Sequence, residues 1–328
     1  MTGSAPSGTG RRQAGESSGP GPAVLDAVVV TYQSRDTIGP CLRALFGIPG
    51  LGAVVVVDHG SDGSGDVAAE LGARVLCEPG NPGFGAGQNA GRSLTTAPYL
   101  LLCNPDAVVE PAAIVDGVTR LAAEPGLAAI QGVIRERDRD IDQRSSWHSV
   151  GALHLWARIL RLGRLLRMGP IRRTSGRIGL TPRAPAAPHE VEALAAIVLL
   201  VRREAMERVG GFDPGYFLYW EDLDLSKRLR EAGWTLQVTP DTWAVHSGGA
   251  SQSDPFERER QWWRGCMRYA ALWYSRPDWL AGMAAAAVQW LTMSIRSPRQ
   301  ARALWADLIA SPQRIRATER GRLARGSQ

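Results

Sequence analysis

Ala53-Val54-Val55-Val56-Val57-Asp58 runs directly into His59-Gly60-Ser61-Asp62-Gly63-Ser64. Four consecutive valines form a short apolar run of the kind that fits a strand buried on both faces. The run stops at an acid and a cluster of turn residues. Working outward, Val24–Tyr32 is a second apolar run with a polar end, and Arg74–Cys77 and Tyr99–Cys103 are two more. Between them lie segments of helical character. Leu42, Leu45 and Phe46 follow Ile38 at helical spacing, Gly85–Thr95 can coil, and Pro111 opens a helix reaching about Ala123. A strand near Leu127–Val133 comes next. Strands alternating with helices through short loops predict an α/β fold with an open, mostly parallel central sheet covered by helices on both faces.

Such a sheet binds ligands beyond the carboxyl ends of its strands. Here those ends carry Thr31-Tyr32, Asp58 and Asn104-Pro105-Asp106. Sheet character resumes at Leu194–Val201, followed by a short helix to Val209 and a stop at Gly210-Gly211. Glu221 and Asp222 head a further helix that runs through Leu225 and Leu229 to Gly233. Trp234–Thr239 and Trp243–His246 have strand composition.

The 328 residues, 44% of them hydrophobic, suffice for one large core with a smaller appendage. Three regions are expected: a disordered tail over 1–22, rich in Gly, Ser and Pro, a catalytic domain over 23–251, and a Trp- and Arg-rich helical region over 252–328. The tail lacks the apolar centre of a secretory signal, so a cytoplasmic location is the default. Cys41, Cys77, Cys103 and Cys266 form no CxxC pair and are read as buried apolar residues rather than a zinc site or disulfide framework.

The net charge is +6, and its placement matters more than its sum. An Arg-rich insertion over 135–189 interleaves arginines with Leu153, Trp156, Ile159 and Leu162. It reads either as a basic amphipathic helix on an anionic membrane or as a helix docked on the core. Arginines recur from Arg296 to Arg325, after a tryptophan-rich stretch. Leu280–Ile295 is too short and Ala-rich for a confident span. An interfacial helix and a plain appendage over the sheet both fit it. No nucleic-acid module accompanies the arginines, so no nucleic-acid partner is expected.

Sugar transfer from a nucleotide diphosphate needs a base and ribose pocket, a divalent cation and a proton acceptor. Asp106 offers a hard oxygen ligand suited to Mg2+ or Mn2+, and His246 could complete the protein side of that shell. Glu221 and Asp222 at a helix start gain from the positive end of its dipole. Gly83-Phe84-Gly85-Ala86-Gly87 departs from GxGxxG because Gln88 holds the last glycine's position, which weakens an oxidoreductase reading. A glycine-rich turn into a helix can still approach a diphosphate closely.

In order, these motifs resemble the family 2 glycosyltransferases of GT-A fold, in particular their bacterial rhamnosyltransferase-like branch. The resemblance runs from about Val24 to Ser251. It rests on Val28–Tyr32, Val55–Asp58 with Gly60-Ser61, Asn81 with Gly83–Gly87 and Asn89–Gly91, Asn104-Pro105-Asp106, Gly211-Phe212-Asp213, Glu221-Asp222-Leu223-Asp224 and His246. It implies that Thr31, Tyr32, Asp58, Gly85, Asn89, Asn104 and Asp106 face the nucleotide sugar. Asp106 and His246 would hold the metal, and Asp222, beside Glu221, would be the general base of an inverting displacement. It further implies a dTDP-rhamnose donor and a lipid-linked or cell-envelope glycan acceptor. The enzyme would work at the inner face of the plasma membrane, in peripheral contact with anionic lipid. His59 stands where the family usually has Asn, the turn before Asp62 is one residue shorter, and Ala195-Ala196 replace a common glycine. A catalytically inactive membrane scaffold of the same fold is the competing expectation.

Overall fold

The computed structural model describes residues 23–137, 142–143, 146–147, 185–247 and 254–306. The expected tail, most of the Arg-rich insertion and the last arginines lie outside them.

β1 (Leu25–Thr31), β2 (Leu51–Asp58), β3 (Arg74–Cys77) and β4 (Tyr99–Cys103) form a parallel half-sheet in the order β3-β2-β1-β4. The sheet continues through β7 (Val198–Arg202), β6 (Leu127–Glu136), β8 (Thr235–His246) and β5 (Ala107–Val109). β7 runs antiparallel to both β4 and β6, β8 parallel to β6, and β5 antiparallel to β8. The sheet is therefore parallel on the side carrying Thr31 and Asp58 and mixed on the side carrying His246.

The helices are α1 (Arg35–Phe46), α2 (Ser64–Glu70), α3 (Phe84–Arg92), α4 (Pro111–Ala123), α5 (Arg203–Arg208), α6 (Glu221–Glu231), α7 (Pro255–Trp273) and α8 (Arg276–Arg296). Strand alternation sorts the apolar residues between two cores. Leu25, Ala27 and Val29 join Ile38, Leu42 and Leu45 of α1 and Ile114 and Leu121 of α4 on one face. Leu100, Leu102, Leu199 and Val201 join Met206, Phe212, Leu225 and Leu229 on the other. Trp243, fully buried, occupies room that exists because Gly117 and Gly132 have no side chain; a Cβ on either would collide with its indole.

Three details differ from the sequence reading. The two strands expected around Pro240 are one, β8, whose register slips between Val238 and Thr242; an irregularity of this kind accommodates a proline that lacks an N–H. The single strand expected over Leu194–Val201 divides into Ala193–Leu194 and β7, leaving 195–197 outside the ladder. β5, only three residues long and hidden behind Pro105, gave no periodic signal. Cys41, Cys103 and Cys266 are buried as expected, whereas Cys77 is exposed because it ends the edge strand β3.

Candidate functional site

Register places the first group of site residues. Thr31 and Asp58 are paired across β1 and β2, so both leave the sheet at its carboxyl edge. Asp58 spends both oxygens on its own loop, accepting from Gly60 N at 2.9 Å and Gly65 N at 3.0 Å. Each carboxylate oxygen keeps a second lone pair for a ligand donor. Thr31 Oγ1 is buried without a protein partner, and Tyr32 is 41% exposed beside it. Asp62 accepts from Arg35 N at 2.9 Å and from Ser64 Oγ at 2.6 Å. It binds the loop to α1, and its carboxyl sits below the usual range because these hydrogen bonds outweigh a desolvation that acts the other way. His59 is buried, with Nδ1 3.0 Å from the Glu78 carbonyl oxygen and its ring against Gly87.

The second group is built by β5. Its antiparallel pairing sets Ala107 opposite His246, which brings the preceding Asp106 alongside the imidazole. Asp106 Oδ1 lies 2.9 Å from His246 Nε2, and Asn104 Nδ2 lies 3.4 Å from the same nitrogen. Asp106 and His246 are each 6% exposed. A carboxylate oxygen and an imidazole nitrogen this close form a two-donor set that fits Mg2+ or Mn2+, provided that substrate oxygens and water fill the other positions. Among the described residues no group of three or more His, Cys, Asp or Glu could enclose a metal alone.

The third group heads α6. Tyr219 and Trp220, immediately before Glu221, are both left-handed, with φ of 70° and 74°. Consecutive left-handed residues with side chains are costly and persist only where packing holds them. That packing comes from α7. Trp220 stacks at 5.3 Å from Trp262 and 5.2 Å from Tyr269, and Gly265 approaches the Tyr219 carbonyl so closely that a Cβ would collide with it. Arg268 of α7 donates from Nε and Nη2 to Asp213, at 3.1 and 2.6 Å, and Trp273 Nε1 donates to Asp224 at 2.8 Å. The motif Gly211-Phe212-Asp213 was legible in the sequence. Its dependence on Arg268, 55 residues away, carried no sequence signal.

Asp222 accepts from Leu223 N at 2.8 Å and from Ala196 N at 3.4 Å. Burial pushes its carboxyl up to about 6, against the lowering effect of those two N–H groups. Glu221 is pushed further above the usual carboxylate range, by burial first and by the Asp222 charge second. Both carboxyls are therefore easier to protonate than in an open chain, Glu221 partly because the Asp222 charge lies beside it.

Residues 195–197, the gap before β7, join the groups. Ala196 N reaches Asp222, and the next carbonyl, Ile197 O, accepts from Asn104 N at 2.8 Å. A continuous run of contacts thus leads from Asp222 through Ala196-Ile197 to Asn104, His246 and Asp106.

The glycine-rich segment also packs closely on protein. A Cβ on Gly85 would stand 2.9 Å from Phe212 Cβ, and one on Gly91 would strike Val28. Asn89 donates to Phe212 O at 2.8 Å and accepts from Phe212 N at 2.9 Å. Gly85 and Asn89 therefore fasten α3 to the loop before α6.

Outside this cleft, α7 and α8 bury Trp263, Met267, Ala285, Ala286 and Trp290 against Tyr216, Trp220 and Leu223. For α7 this packing is against α6 and the loop before it. α8 also leaves Leu280, Val288, Leu291 and Ile295 exposed. No helix among the described residues is long and apolar enough to cross a membrane.

The model of the family described as "Glycosyltransferase like family 2" matches residues 22–267. The chain is 26% identical over 287 residues, 75% of its length, to the N-acetylglucosaminyl-diphospho-decaprenol L-rhamnosyltransferase of Mycobacterium tuberculosis H37Rv, covering 88% of that protein. It is 38% identical over 82 residues to the rhamnosyltransferase WbbL of Escherichia coli K12, covering 25% of this chain and 31% of that one. Among solved structures it is similar in fold to the mannosyltransferase PcManGT of Pyrobaculum calidifontis. That structure was determined with GDP-Man and Mn2+; the TM-score is 0.51 at 17% identity, over 93% of this chain and 81% of that one.

Proposed function

This chain belongs to glycosyltransferase family 2, and we propose that it is an inverting, metal-dependent transferase taking rhamnose from dTDP-rhamnose to a lipid-linked glycan precursor. The observation that carries the reading is the run of contacts that sets the Asp222 carboxylate one dipeptide from the Asn104-Pro105-Asp106 turn. The named relatives support the donor sugar and the acceptor class: the mycobacterial protein is a rhamnosyltransferase acting on a diphospho-decaprenol lipid.

In this mechanism the base and ribose lie against Thr31, Tyr32 and Asp58, where the Thr31 hydroxyl and the spare Asp58 lone pairs await partners. Asp106 and His246 would hold Mg2+ or Mn2+, which would neutralise charge developing on the departing diphosphate. Asp222 takes the proton of the acceptor hydroxyl as the oxygen attacks the anomeric carbon from the face opposite the diphosphate. A carboxylate titrating at about 6 is ionised at cytoplasmic pH yet basic enough to assist. Burial and the Asp222 charge both disfavour a second negative charge on Glu221 beside that oxygen.

A panel of nucleotide sugars with MnCl2 or MgCl2, scored for thermal stabilisation and slow donor hydrolysis, tests the reading. dTDP-rhamnose should respond, and Asp222→Asn should silence hydrolysis while dTDP still binds. A response confined to uridine sugars would refute the rhamnose assignment. Undiminished turnover by Asp222→Asn would refute the base; no hydrolysis of any donor by the wild type would favour an inactive scaffold.

A lipid-linked acceptor implies work at the inner face of the plasma membrane. The exposed apolar face of α8, with Arg276 at its start and Arg299 and Arg302 exposed beyond its end, supports peripheral attachment to anionic lipid.

A further inference from the structure

Gln131 is fully buried in β6 among Ala129, Ile130, Val133 and Ile134, a place where an amide needs partners to be tolerated. Its Nε2 donates to Ala195 O and to Val198 O, both at 2.7 Å. Those carbonyls bracket the dipeptide Ala196-Ile197. The amide orientation is fixed chemically, since turning it over would set its oxygen against two carbonyl oxygens.

The bracketed dipeptide has no strand partner of its own, lying between Ala193–Leu194 and Val198–Arg202. Its N–H at Ala196 meets Asp222, and its carbonyl at Ile197 meets Asn104 N. One buried side chain therefore grips both ends of a stretch that touches the carboxylate on one side and the Asn104-Pro105-Asp106 turn on the other.

We propose that Gln131 is a positioning residue for sugar transfer: by holding the Ala195 and Val198 carbonyls it sets the spacing between Asp222 and the Asn104-Pro105-Asp106 turn. Gln131 contributes no reacting atom. Methionine would fill a similar space without an orphaned acceptor, whereas Gln131 Oε1 has no protein partner. Filling the core does not account for the amide; the two carbonyls do. A misplacement of about 1 Å in such a spacing can cost roughly a hundredfold in rate.

The inference rests on the transferase reading above, and Gln131→Met tests it beside Asp222→Asn, using hydrolysis of dTDP-rhamnose with MnCl2 and binding of dTDP. Gln131→Met should lower kcat roughly ten- to a hundredfold while dTDP binding stays within about twofold. Losing the Ala196 N–H bond should also move the acid limb of kcat/KM upward. Glu221, the other titrating acid at that position, is unchanged, and Asp224 remains committed to Arg228 and Trp273. If Gln131→Met does not fold, Gln131→Glu keeps the length but, protonated in this buried place, has a single O–H and can hold only one of the two carbonyls; it should lower kcat in the same direction. A wild-type kcat with an unmoved acid limb would overturn the proposal, as would a parallel loss of dTDP binding and thermal stability. Wild-type hydrolysis by Asp222→Asn would instead overturn the base assignment, so the two failures are separable.

Discussion

Asp222→Asn should stabilise the protein while abolishing transfer. The carboxyl titrates at 3.8 in an open chain and at about 6 in the fold, a rise of roughly two units that corresponds to about 3 kcal/mol. The sign follows from the direction. A raised folded value means that the fold prefers the protonated form. Its favourable contribution is complete below 3.8 and is lost as pH climbs through about 6. At pH 7.5 the wild type therefore carries the whole penalty of a desolvated carboxylate, which asparagine does not. Asparagine keeps an oxygen for the Leu223 and Ala196 N–H groups but brings an NH2 with no assigned acceptor, costing about 1 kcal/mol. The net gain at pH 7.5 is about 2 kcal/mol, or several degrees in Tm for a domain of this size. Removing the Asp222 charge also relieves part of the upward pressure on Glu221, which works in the same direction. Urea denaturation of both proteins at pH 7.5 and at pH 4 measures the effect. The difference should be largest at pH 7.5 and should vanish or reverse at pH 4. A variant that is less stable than wild type at pH 7.5, or a gain independent of pH, would refute the reasoning.

Other expectations follow from single contacts. Arg268→Met removes both guanidinium bonds to the Asp213 carboxylate, 5% exposed, and should cost about 3–5 kcal/mol with loss of turnover, read by denaturation and donor hydrolysis. Gly265→Val drives a side chain into the Tyr219 carbonyl, so kcat should fall sharply while dTDP still binds at the distant Asp58 edge, as calorimetry can check. His246→Ala should weaken the thermal stabilisation by dTDP with MnCl2 far more than that by dTDP alone. The pair Leu291→Glu and Ile295→Glu should abolish salt-sensitive sedimentation with phosphatidylglycerol vesicles and leave donor hydrolysis intact.

The parallel half of the sheet was legible because its signal is local. Val54–Val57 can be buried only between two layers, and the turn chemistry at Asp58–Ser64 ends the strand where it must end. Arg74–Cys77, Tyr99–Cys103 and Pro111–Ala123 lie at the bounds read from the sequence. β5 was invisible because three residues have no period, yet its pairing is what sets Asp106 beside His246. That the glycines of 83–91 let α3 pack against Phe212 and Val28 was not legible, since those partners lie far away in sequence. Nothing in the strand near Leu127–Val133 singled out Gln131, because its two acceptors lie more than sixty positions on.

By itself the sequence determined the alternating α/β order, the family, and which residue types stand at the carboxyl ends of the strands, since periodicity, turn residues and motif spacing are properties of neighbours along the chain. Only the tertiary structure decided that Asp222 is half-buried next to Ala196, that Asp106 meets His246, and that α7 braces two left-handed residues beneath the carboxylate. Those depend on desolvation and on hydrogen bonds between segments far apart in sequence, and neither exists until the chain has closed on itself.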